Sequence, residues 1–332
     1  MLAMLCKTTV ARKVLAYAWK YGMPVGAAAM WGIDAANSFG ASVDACVLEC
    51  RFGRRSEVAT CPVYASLLAP SPAHTIAYRA GRMLANAEAF ERWHHLEGEE
   101  VYRWRSGIKH DCAEAVELFL EGDKLRTKTG TPVDIERQFV FPMLKASDLA
   151  NGKALRKTRW MLVTQRAVGE DTRHIAEAAP KTWAYLTRNA ERFGRRASVI
   201  YKDRPPFSMF GIGAYSFAPW KVGIAALYKK LVFKVIGPHM GKPVVLDDTC
   251  YFLSCRTREE ARLIASLLNS SSVREFYSAF IFWDAKRPIT IDILRRLDLR
   301  KTAAVLGQSA EFDRLAQASQ HSTMTRETLW SD

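Results

Sequence analysis

Near the amino terminus, apolar and polar positions follow first a helical and then a strand-like pattern. Apolar side chains recur at helical spacing from residue 5 to residue 21, and Gly22 and Pro24 follow them, so one amphipathic helix is predicted there. Residues 27–34 and 39–50 are rich in small and branched apolar residues, which predicts two strands. A helix and two strands are too few for a complete doubly wound sheet, so they predict the closing part of an α/β sheet.

The rest of the chain alternates between weakly and strongly patterned segments. Residues 53–74 contain three prolines and little periodicity, which predicts a connector. Helical spacing predicts helices over residues 80–96, from about 111, and over 180–196, 257–282 and the end of 286–299. Branched and aromatic runs predict strands over residues 158–165, 230–237 and 243–255. The fold class is therefore predicted to be α/β (α+β), with a loose polar segment after about residue 307.

The charge of the chain points to its partner. It carries 48 Lys and Arg against 34 Asp and Glu, a formal net charge of +14 over 332 residues. An acidic partner is therefore expected, and nucleic acid is the commonest one, although a membrane surface would also satisfy the charge. No apolar run approaches the ~20 residues of a spanning helix. Lys7, Arg12 and Lys13 interrupt residues 1–20, so neither a span nor a signal peptide is predicted, and the protein is expected to be cytoplasmic.

Most of this charge lies in residues 181–242, called the basic stretch below. It contains twelve Lys and Arg against two Asp and Glu, a net +10. Aromatic residues alternate with the cations: Tyr201, Phe207, Phe210, Tyr215, Phe217 and Trp220. Positive charge among flat apolar rings is typical of a surface that binds the phosphates and bases of a nucleic acid. The residues alone also fit an ordinary sheet whose aromatic side chains are core and whose lysines face water.

Other candidate chemistry is weak. The seven cysteines include no Cys-x-x-Cys pair, so buried free thiols are predicted rather than a zinc site or disulfides, and no metal site is assigned.

Residues 211–215, GIGAY, resemble half of a glycine-rich cofactor loop but open no helix. Residues 203–207, DRPPF, resemble the (Asn/Asp)-Pro-Pro-(Tyr/Phe) motif of amino-methyltransferases, but Arg204 stands at the acceptor position and a guanidinium only donates. A nuclease-like metal site is an alternative that rests on a frequent tripeptide and a second acid: Asp284, Lys286 and Asp247 or Asp248.

Eleven stretches, taken together and in order, resemble one family. They are MLCKTTVARKVL, IDAANSFGASVDAC, WRSGIKHDC, FPMLKASDLANG, LVTQRAVGEDT, APKTWAYL, RASVIYKDRPPFSMFG, YSFAPWKV, LDDTCYFLSC, LLNS and FWDAKRPIT. Together they resemble the carboxyl-terminal half of bacterial restriction-modification DNA adenine-N6 methyltransferases with a TaqI-type target-recognition domain. The resemblance covers residues 1 to 300, and the ordered set is more specific than any single piece.

The resemblance also implies which functional motifs of the family belong to this chain and which do not. Members of the family carry a glycine-rich S-adenosylmethionine loop and an Asn-Pro-Pro-Tyr/Phe motif, both ahead of the helix predicted here from Leu5. A completed enzyme would therefore use S-adenosylmethionine, while no catalytic or cofactor-binding residue is assigned to this chain, and a partner protein carrying the other half is expected. The implied domains are the truncated end of a class I methyltransferase sheet, a connector with a helix, a mixed α+β target-recognition domain and a loose tail: residues 1–60, 61–103, 104–300 and 301–332.

The resemblance and the charge together nominate site residues. Phe39 matches the family position from which an aromatic ring stacks on the flipped target adenine, where the base must recover lost stacking. From the residues alone, Phe39 fits equally as a side chain packed under a strand. Contacts to double-stranded DNA, most of them through phosphate, are expected from Lys109, His110, Arg195, Arg196, Lys202, Arg204, Trp220, Lys221, Lys286 and Arg287. Trp220 also fits as a core residue.

Two hypotheses of different classes follow. The first is the DNA-recognition part of a site-specific adenine-N6 methyltransferase, which binds DNA by itself and methylates only with a partner or segment that supplies the cofactor loop and catalytic motif. The second is a non-enzymatic DNA-binding or interaction protein, or an inactive gene fragment.

Overall fold

The computed structural model describes residues 1–53, 57–152 and 159–327. Contacts within the chain divide it into two compact units. Unit 1 is Met1–Glu99 with Ser270–Lys301, and unit 2 is Glu100–Asn269 with the described part of Thr302–Asp332. The domain boundaries expected at residues 60, 103 and 300 stay predictions.

The described chain contains strands and helices in a mixed order. The strands are β1 (Leu2–Lys7), β2 (Val25–Ile33), β3 (Ala45–Phe52), β4 (Thr60–Tyr64), β5 (His74–Arg79), β6 (Arg82–Leu84), β7 (Arg105–Ser106), β8 (Glu117–Glu121), β9 (Lys124–Thr127), β10 (Pro132–Val133), β11 (Val140–Leu144), β12 (Arg159–Leu162), β13 (Trp220–Ala225), β14 (Lys234–Ile236), β15 (Val245–Leu246) and β16 (Cys250–Cys255). The α-helices are α1 (Thr8–Lys20), α2 (Ala35–Phe39), α3 (Ala87–Trp93), α4 (Ala113–Val116), α5 (Ala146–Asn151), α6 (Ile175–Ala178), α7 (Pro180–Arg188), α8 (Ala190–Gly194), α9 (Arg258–Leu268), α10 (Ser271–Ser278), α11 (Ile291–Leu294), α12 (Leu299–Val305) and α13 (Ser309–Glu327).

Unit 1 is built on a six-stranded sheet in the order β1-β3-β2-β4-β5-β6. Strands β2 and β4 are parallel, and the other neighbouring pairs are antiparallel. Helix α1 follows directly on β1, and its Ala11 and Leu15 side chains are buried in one cluster with Met30 of β2 and Leu48 of β3. Among the described strands β1 pairs with β3 alone, so the other edge of β1 is open.

Unit 2 contains two sheets. The larger has the order β10-β9-β8-β12-β11-β15, in which β11 and β15 are parallel and the other pairs antiparallel. The smaller has the antiparallel order β14-β13-β16-β7. All five residues of β11 and the last five of β13 are buried, which is typical of strands that are covered on both faces.

The predicted mixed α+β class is confirmed. The predicted strands correspond to β2, β12, β14 and β15 with β16, and residue 158, the first of the predicted β12 run, lies outside the described residues. The strand predicted over residues 39–50 begins only at β3, because Phe39 belongs to α2. The helices predicted over residues 180–196 and 257–282 are each two helices, α7 with α8 and α9 with α10. None of the described helices is long and apolar enough to cross a membrane.

Several element predictions are wrong in detail. Residues 5–7 belong to β1 rather than to the first helix, because their backbone groups pair with β3. The predicted connector contains β4, with Pro62 inside the strand. The helix predicted over residues 80–96 begins as β6 and continues as α3, and the predicted loose tail contains α13, whose Phe312 side chain is buried. In each case a partner distant in sequence decides the local structure.

Candidate nucleic-acid interface

A groove of about 460 Å³ opens in unit 2 on the basic stretch. Helix α8 and the segment from Arg196 to Phe207 form its walls, and we call it the basic groove. Aromatic rings support the floor, since Phe193 and Phe207 meet edge to face with ring centroids 5.0 Å apart. Lys202 and Arg204 line the groove and are exposed, so positive charge and flat apolar surface occur together there, as the sequence predicts.

Strained backbone is concentrated beside this groove. Five non-glycine residues of the described chain have positive φ, and three of them are Asp111 (48°), Asp203 (56°) and Phe207 (59°). Left-handed backbone is uncommon for residues with a side chain and persists where the surrounding contacts hold it, often at functional sites. The side chain of Phe207 is buried, and its carbonyl accepts a hydrogen bond from Thr164 Oγ1 at 2.7 Å, which holds this conformation.

Two loops cross backbone to backbone next to the groove. The Lys109 amide donates to the Phe210 carbonyl (2.8 Å), and the Phe210 amide donates to the Lys109 carbonyl (3.0 Å). The crossing has no room for side chains: a Cβ on Gly107 would lie 2.1 Å from the Asp247 carbonyl oxygen, and one on Gly211, with φ of 65°, would lie 2.4 Å from the Gly107 oxygen. Gly107 and Gly211 therefore allow the close backbone approach that fixes the position of the turn before α4.

Arg196 holds the groove together from inside. Its guanidinium lies 3.7 Å from the centroid of the Tyr201 ring, and it donates to the carbonyls of Phe193 (2.9 Å) and Ser208 (2.6 Å). A weaker contact reaches the His110 carbonyl at 3.4 Å. Burial lowers the pKa of Arg196. Through Nε and one Nη, Arg196 positions the groove, and its predicted role as a DNA contact stays a prediction.

A network of buried polar and charged side chains supports the turn before α4. The Cys112 amide donates to His110 Nδ1 (3.1 Å), so the ring proton lies on Nε2, which faces Glu117 Oε1 at 3.5 Å. Lys145 also pairs with Glu117, and its Nζ lies 3.8 Å from Asp247 Oδ2. Burial opposes the change, but hydrogen bonds from His110 and Lys145 lower the pKa of Glu117. The predicted DNA contact His110 is only 8% exposed and supports the turn from beneath.

Three of the predicted DNA contacts are accessible cations in this part of unit 2. Lys202 and Arg204 flank Asp203 at the groove, and Arg204 also lies 5.8 Å from the Phe210 ring centroid. The Arg195 side chain is 74% exposed, although it forms an ion pair with Glu191 one turn earlier. Such exposed pairs contribute little to stability, about 0–1 kcal/mol, so Arg195 can exchange its partner for a phosphate at small cost.

Lys109 is less accessible than these three. Its Nζ pairs with Asp111 Oδ2 at 3.3 Å, and about a third of each side chain is exposed, 36% and 32%. The pair lies on the turn that the backbone crossing holds in place.

Lys221 differs from its predicted position at the DNA surface, whereas the placement of Trp220 there stays a prediction. Trp220 is half-buried, and its ring lies where a Cβ on Gly237 would meet it at 2.5 Å. Lys221 is 1% exposed, and its Nζ donates to the Ala218 carbonyl at 2.6 Å. Burial lowers the pKa of Lys221 to about 7. Both faces of β13 are covered, which removes Lys221 from any external phosphate.

The remaining predicted site residues belong to unit 1. Phe39 ends α2 and is 61% exposed, so it is not packed under a strand as the plainer interpretation expects. Lys286 and Arg287 are exposed. Asp284 forms an ion pair with Arg12 at 2.5 Å, which occupies the carboxylate that a nuclease-like metal site would need. Within the described part of the chain, His, Cys, Asp and Glu form no group of three or more arranged to hold a metal ion.

An apolar hollow of about 490 Å³ lies on unit 1. Strands β1 and β3, helix α1 and Met23 line it, and Leu2, Val14, Tyr17 and Phe52 among its residues are each more than a third exposed. The open edge of β1 belongs to the same part of unit 1. Exposed apolar surface of this kind next to an unpaired strand edge is typical of an interaction site.

The charge pattern could not identify Asp111. The sequence places it between His110 and Cys112 in a short turn, where an acidic residue reads as an ordinary helix start. Its positive φ and its effect on the pKa of the Tyr201 hydroxyl depend on loops nearly a hundred residues apart.

Comparison with known proteins shows similarity to a methyltransferase. No protein-family model matches the chain. The chain is similar to a Type II methyltransferase: M.NspV of a Nostoc species is 42% identical over 306 residues, which are 92% of this chain and 64% of the relative. The chain thus spans a little less than two thirds of the length of that protein. The predicted resemblance to a methyltransferase is confirmed at this level, while the TaqI-type domain and the carboxyl-terminal position stay predictions.

One solved structure is also similar to part of this chain. It is that of the Type IIL restriction-modification enzyme MmeI in complex with DNA, which matches 86% of this chain and 37% of its own, with 12% identity and a TM-score of 0.47. That score is too low to define a shared fold.

Proposed function

We propose that this chain is the DNA-recognition part of a site-specific adenine-N6 DNA methyltransferase of a restriction-modification system. The observation that carries the proposal is the 42% identity to a Type II methyltransferase over 92% of the chain. The basic groove supports it, because exposed cations beside aromatic rings suit a polyanion that carries bases. In this proposal unit 2 binds the double-stranded target.

Separate residues would bind phosphate and stack on the target base. Lys202, Arg204 and Arg195 contact phosphates and set the register of the duplex, while Arg196 keeps the groove in shape. Phe39 stacks on the adenine once it leaves the duplex, and its exposed ring supports that role. Lys286 and Arg287 add phosphate contacts from unit 1.

Methyl transfer would require a further part. We propose that S-adenosylmethionine and the Asn-Pro-Pro-Tyr/Phe motif are supplied by a partner protein or a further segment that seats against the open edge of β1 and the apolar hollow. An added strand would satisfy the free backbone groups of β1, and apolar side chains would fill the hollow. The residues of this chain would then bind the duplex and hold the target base while the other part carries out the transfer.

A salt series tests the DNA-binding part of the proposal. Binding of short duplex DNA should weaken steeply with salt, and the double variant Lys202→Ala/Arg204→Ala should lower the slope of log K against log[salt] by about 1.8, because each lost phosphate contact removes about 0.9. Lys128→Ala, an exposed lysine in the turn after β9, is the matched control and should leave the slope unchanged. Equal slopes for the wild type and the double variant would contradict the assignment of the groove.

The same binding reactions test whether the chain can transfer a methyl group by itself. With labelled S-adenosylmethionine present, the chain by itself should bind duplex DNA and transfer no methyl group. Incorporation by the chain alone would show that the cofactor and catalytic groups lie within these residues. Absence of duplex binding at low salt would favour the alternative, an interaction protein or an inactive fragment.

A further inference from the structure

An acidic side chain stands at the rim of the basic groove. Asp111 belongs to the turn before α4, and its carboxylate pairs with Lys109 Nζ at 3.3 Å. It is also close to the groove residues Tyr201 and Arg196: burial first, and then the Asp111 carboxylate, raise the pKa of the Tyr201 hydroxyl. A third of the Asp111 side chain is exposed. A negative charge therefore lies where the protein otherwise presents cations.

The chemistry of DNA limits what this carboxylate can contact. Phosphate oxygens only accept hydrogen bonds, and an ionised carboxylate only accepts as well, so Asp111 cannot bind the backbone and repels it. The donors that a duplex offers in its major groove are the amino groups of cytosine and adenine. Adenine places its N7 acceptor beside its amino group, which suits an amide such as Asn or Gln, whereas the cytosine edge is a donor and suits a carboxylate.

The turn that carries Asp111 is held rigidly enough to read a base. Paired backbone hydrogen bonds join Lys109 to Phe210, and Gly107 packs against the Asp247 carbonyl with no space for a Cβ. Beneath the turn, His110 rests on Glu117. The left-handed φ of 48° at Asp111 is maintained by these contacts, and a preorganised acceptor loses little freedom on binding.

We propose that Asp111 is a specificity-determining residue that accepts a hydrogen bond from the N4 amino group of a cytosine in the target duplex. The inference rests on the proposed function, since it assumes that the basic groove faces DNA. The ion pair with Lys109 orients the carboxylate, and the net charge of the surface stays positive. Asp111 thereby reduces binding to DNA in general and favours duplexes that present cytosine at one position.

The plainer explanation is that Asp111 only neutralises Lys109 and Arg196. Asp203 provides a matched control, because it is an exposed acid with positive φ (56°) between the groove residues Lys202 and Arg204. Asn tolerates left-handed backbone as Asp does, so Asp111→Asn and Asp203→Asn should both fold. Each removes one negative charge from the same surface, but only the first alters the proposed contact.

The experiment is selection of bound duplexes from a random pool by the full chain and by each variant, with thermal melting of all three proteins. The wild type should enrich cytosine at one position roughly ten-fold over the other bases. Asp111→Asn should lose that preference in favour of adenine, which an amide reads through N6 and N7, while its general affinity rises a few-fold at low salt and its Tm is unchanged. Asp203→Asn should show the rise in general affinity and keep the cytosine preference.

Other outcomes separate the inference from the proposed function. If Asp111→Asn keeps the preference of the wild type, or if the wild type binds duplexes without preference, the inference is wrong although the DNA-binding role stands. A loss of preference that comes with a lower Tm and weaker binding would mean that Asp111 is only structural. If the wild type binds no duplex at all, the proposed function fails together with the inference.

Discussion

Lys221 makes the stability of the protein depend on pH through a single buried side chain. Burial lowers its pKa to about 7, against 10.5 for a free lysine. Between these values the unfolded chain binds more protons than the folded chain, so the free energy of unfolding should rise with pH, by at most about 1.4 kcal/mol per unit. Below about pH 7 the folded protein holds a buried positive charge, which destabilises it.

Replacing this lysine should remove the effect. Lys221→Met keeps the length and loses the charge, so it should raise the free energy of unfolding at pH 6 and flatten its rise between pH 7 and 10. Urea unfolding at several pH values measures both. Lys124→Met, at an exposed lysine of β9, serves as control and should keep the slope of the wild type. A Lys221→Met slope equal to that of the wild type would mean that Lys221 reaches solvent.

The loop crossing of unit 2 is the element on which the geometry of the groove depends. A Cβ at Gly107 would lie 2.1 Å from the backbone oxygen of Asp247, which cannot rotate away. Gly107→Ala should therefore lower the free energy of unfolding by about 2–3 kcal/mol. Gly194→Ala meets nothing within 4 Å at the end of α8 and should change stability by less than about 1 kcal/mol. Equal Tm values for the two variants would show that the crossing is loose.

The same elements show where sequence patterns suffice and where they fail. Helix α9 is predictable because Thr257 and Glu260 form a capping box ahead of a regular apolar stripe. Strand β1 is not, because a short apolar run fits a strand and a helix start equally until its pairing with β3 is known. Helix α4 ends after one turn, since β8 follows at Glu117 and pairs with β12.

The candidate site divides in a similar way. The exposure of Lys202 and Arg204 could be predicted from the charge pattern, because cations in a polar loop usually face solvent. The burial of Lys221 and the partial burial of Arg196 could not be predicted, since they depend on how the rest of unit 2 covers β13 and the segment after α8. Asp111 could not be predicted for a different reason. An acidic residue lowers the expected affinity for DNA, whereas the role proposed for Asp111 is to discriminate between DNA sequences.

At the scale of the whole molecule, the described residues form two surfaces to which the proposed function assigns a partner, the basic groove and the apolar hollow. The groove belongs to unit 2 and matches a polyanion, whereas the hollow belongs to unit 1 and matches apolar side chains. Charge on the hollow should therefore alter protein association without altering DNA binding. This independence allows the two surfaces to be tested in one chain.

Val14 is the position at which to test the hollow. It lies on α1, lines the hollow and is 37% exposed, so Val14→Lys should fold normally while its charge disfavours an apolar occupant. The wild type should self-associate at high concentration through the uncovered hollow and β1 edge, and the variant should associate at least several-fold more weakly in sedimentation equilibrium. Val43→Lys, at an exposed valine outside the hollow, should behave as the wild type, and both variants should bind duplex DNA normally. If Val14→Lys associates as strongly as the wild type, the hollow is not a protein-binding surface, and the proposed seat for the methyltransferase partner must lie elsewhere on unit 1.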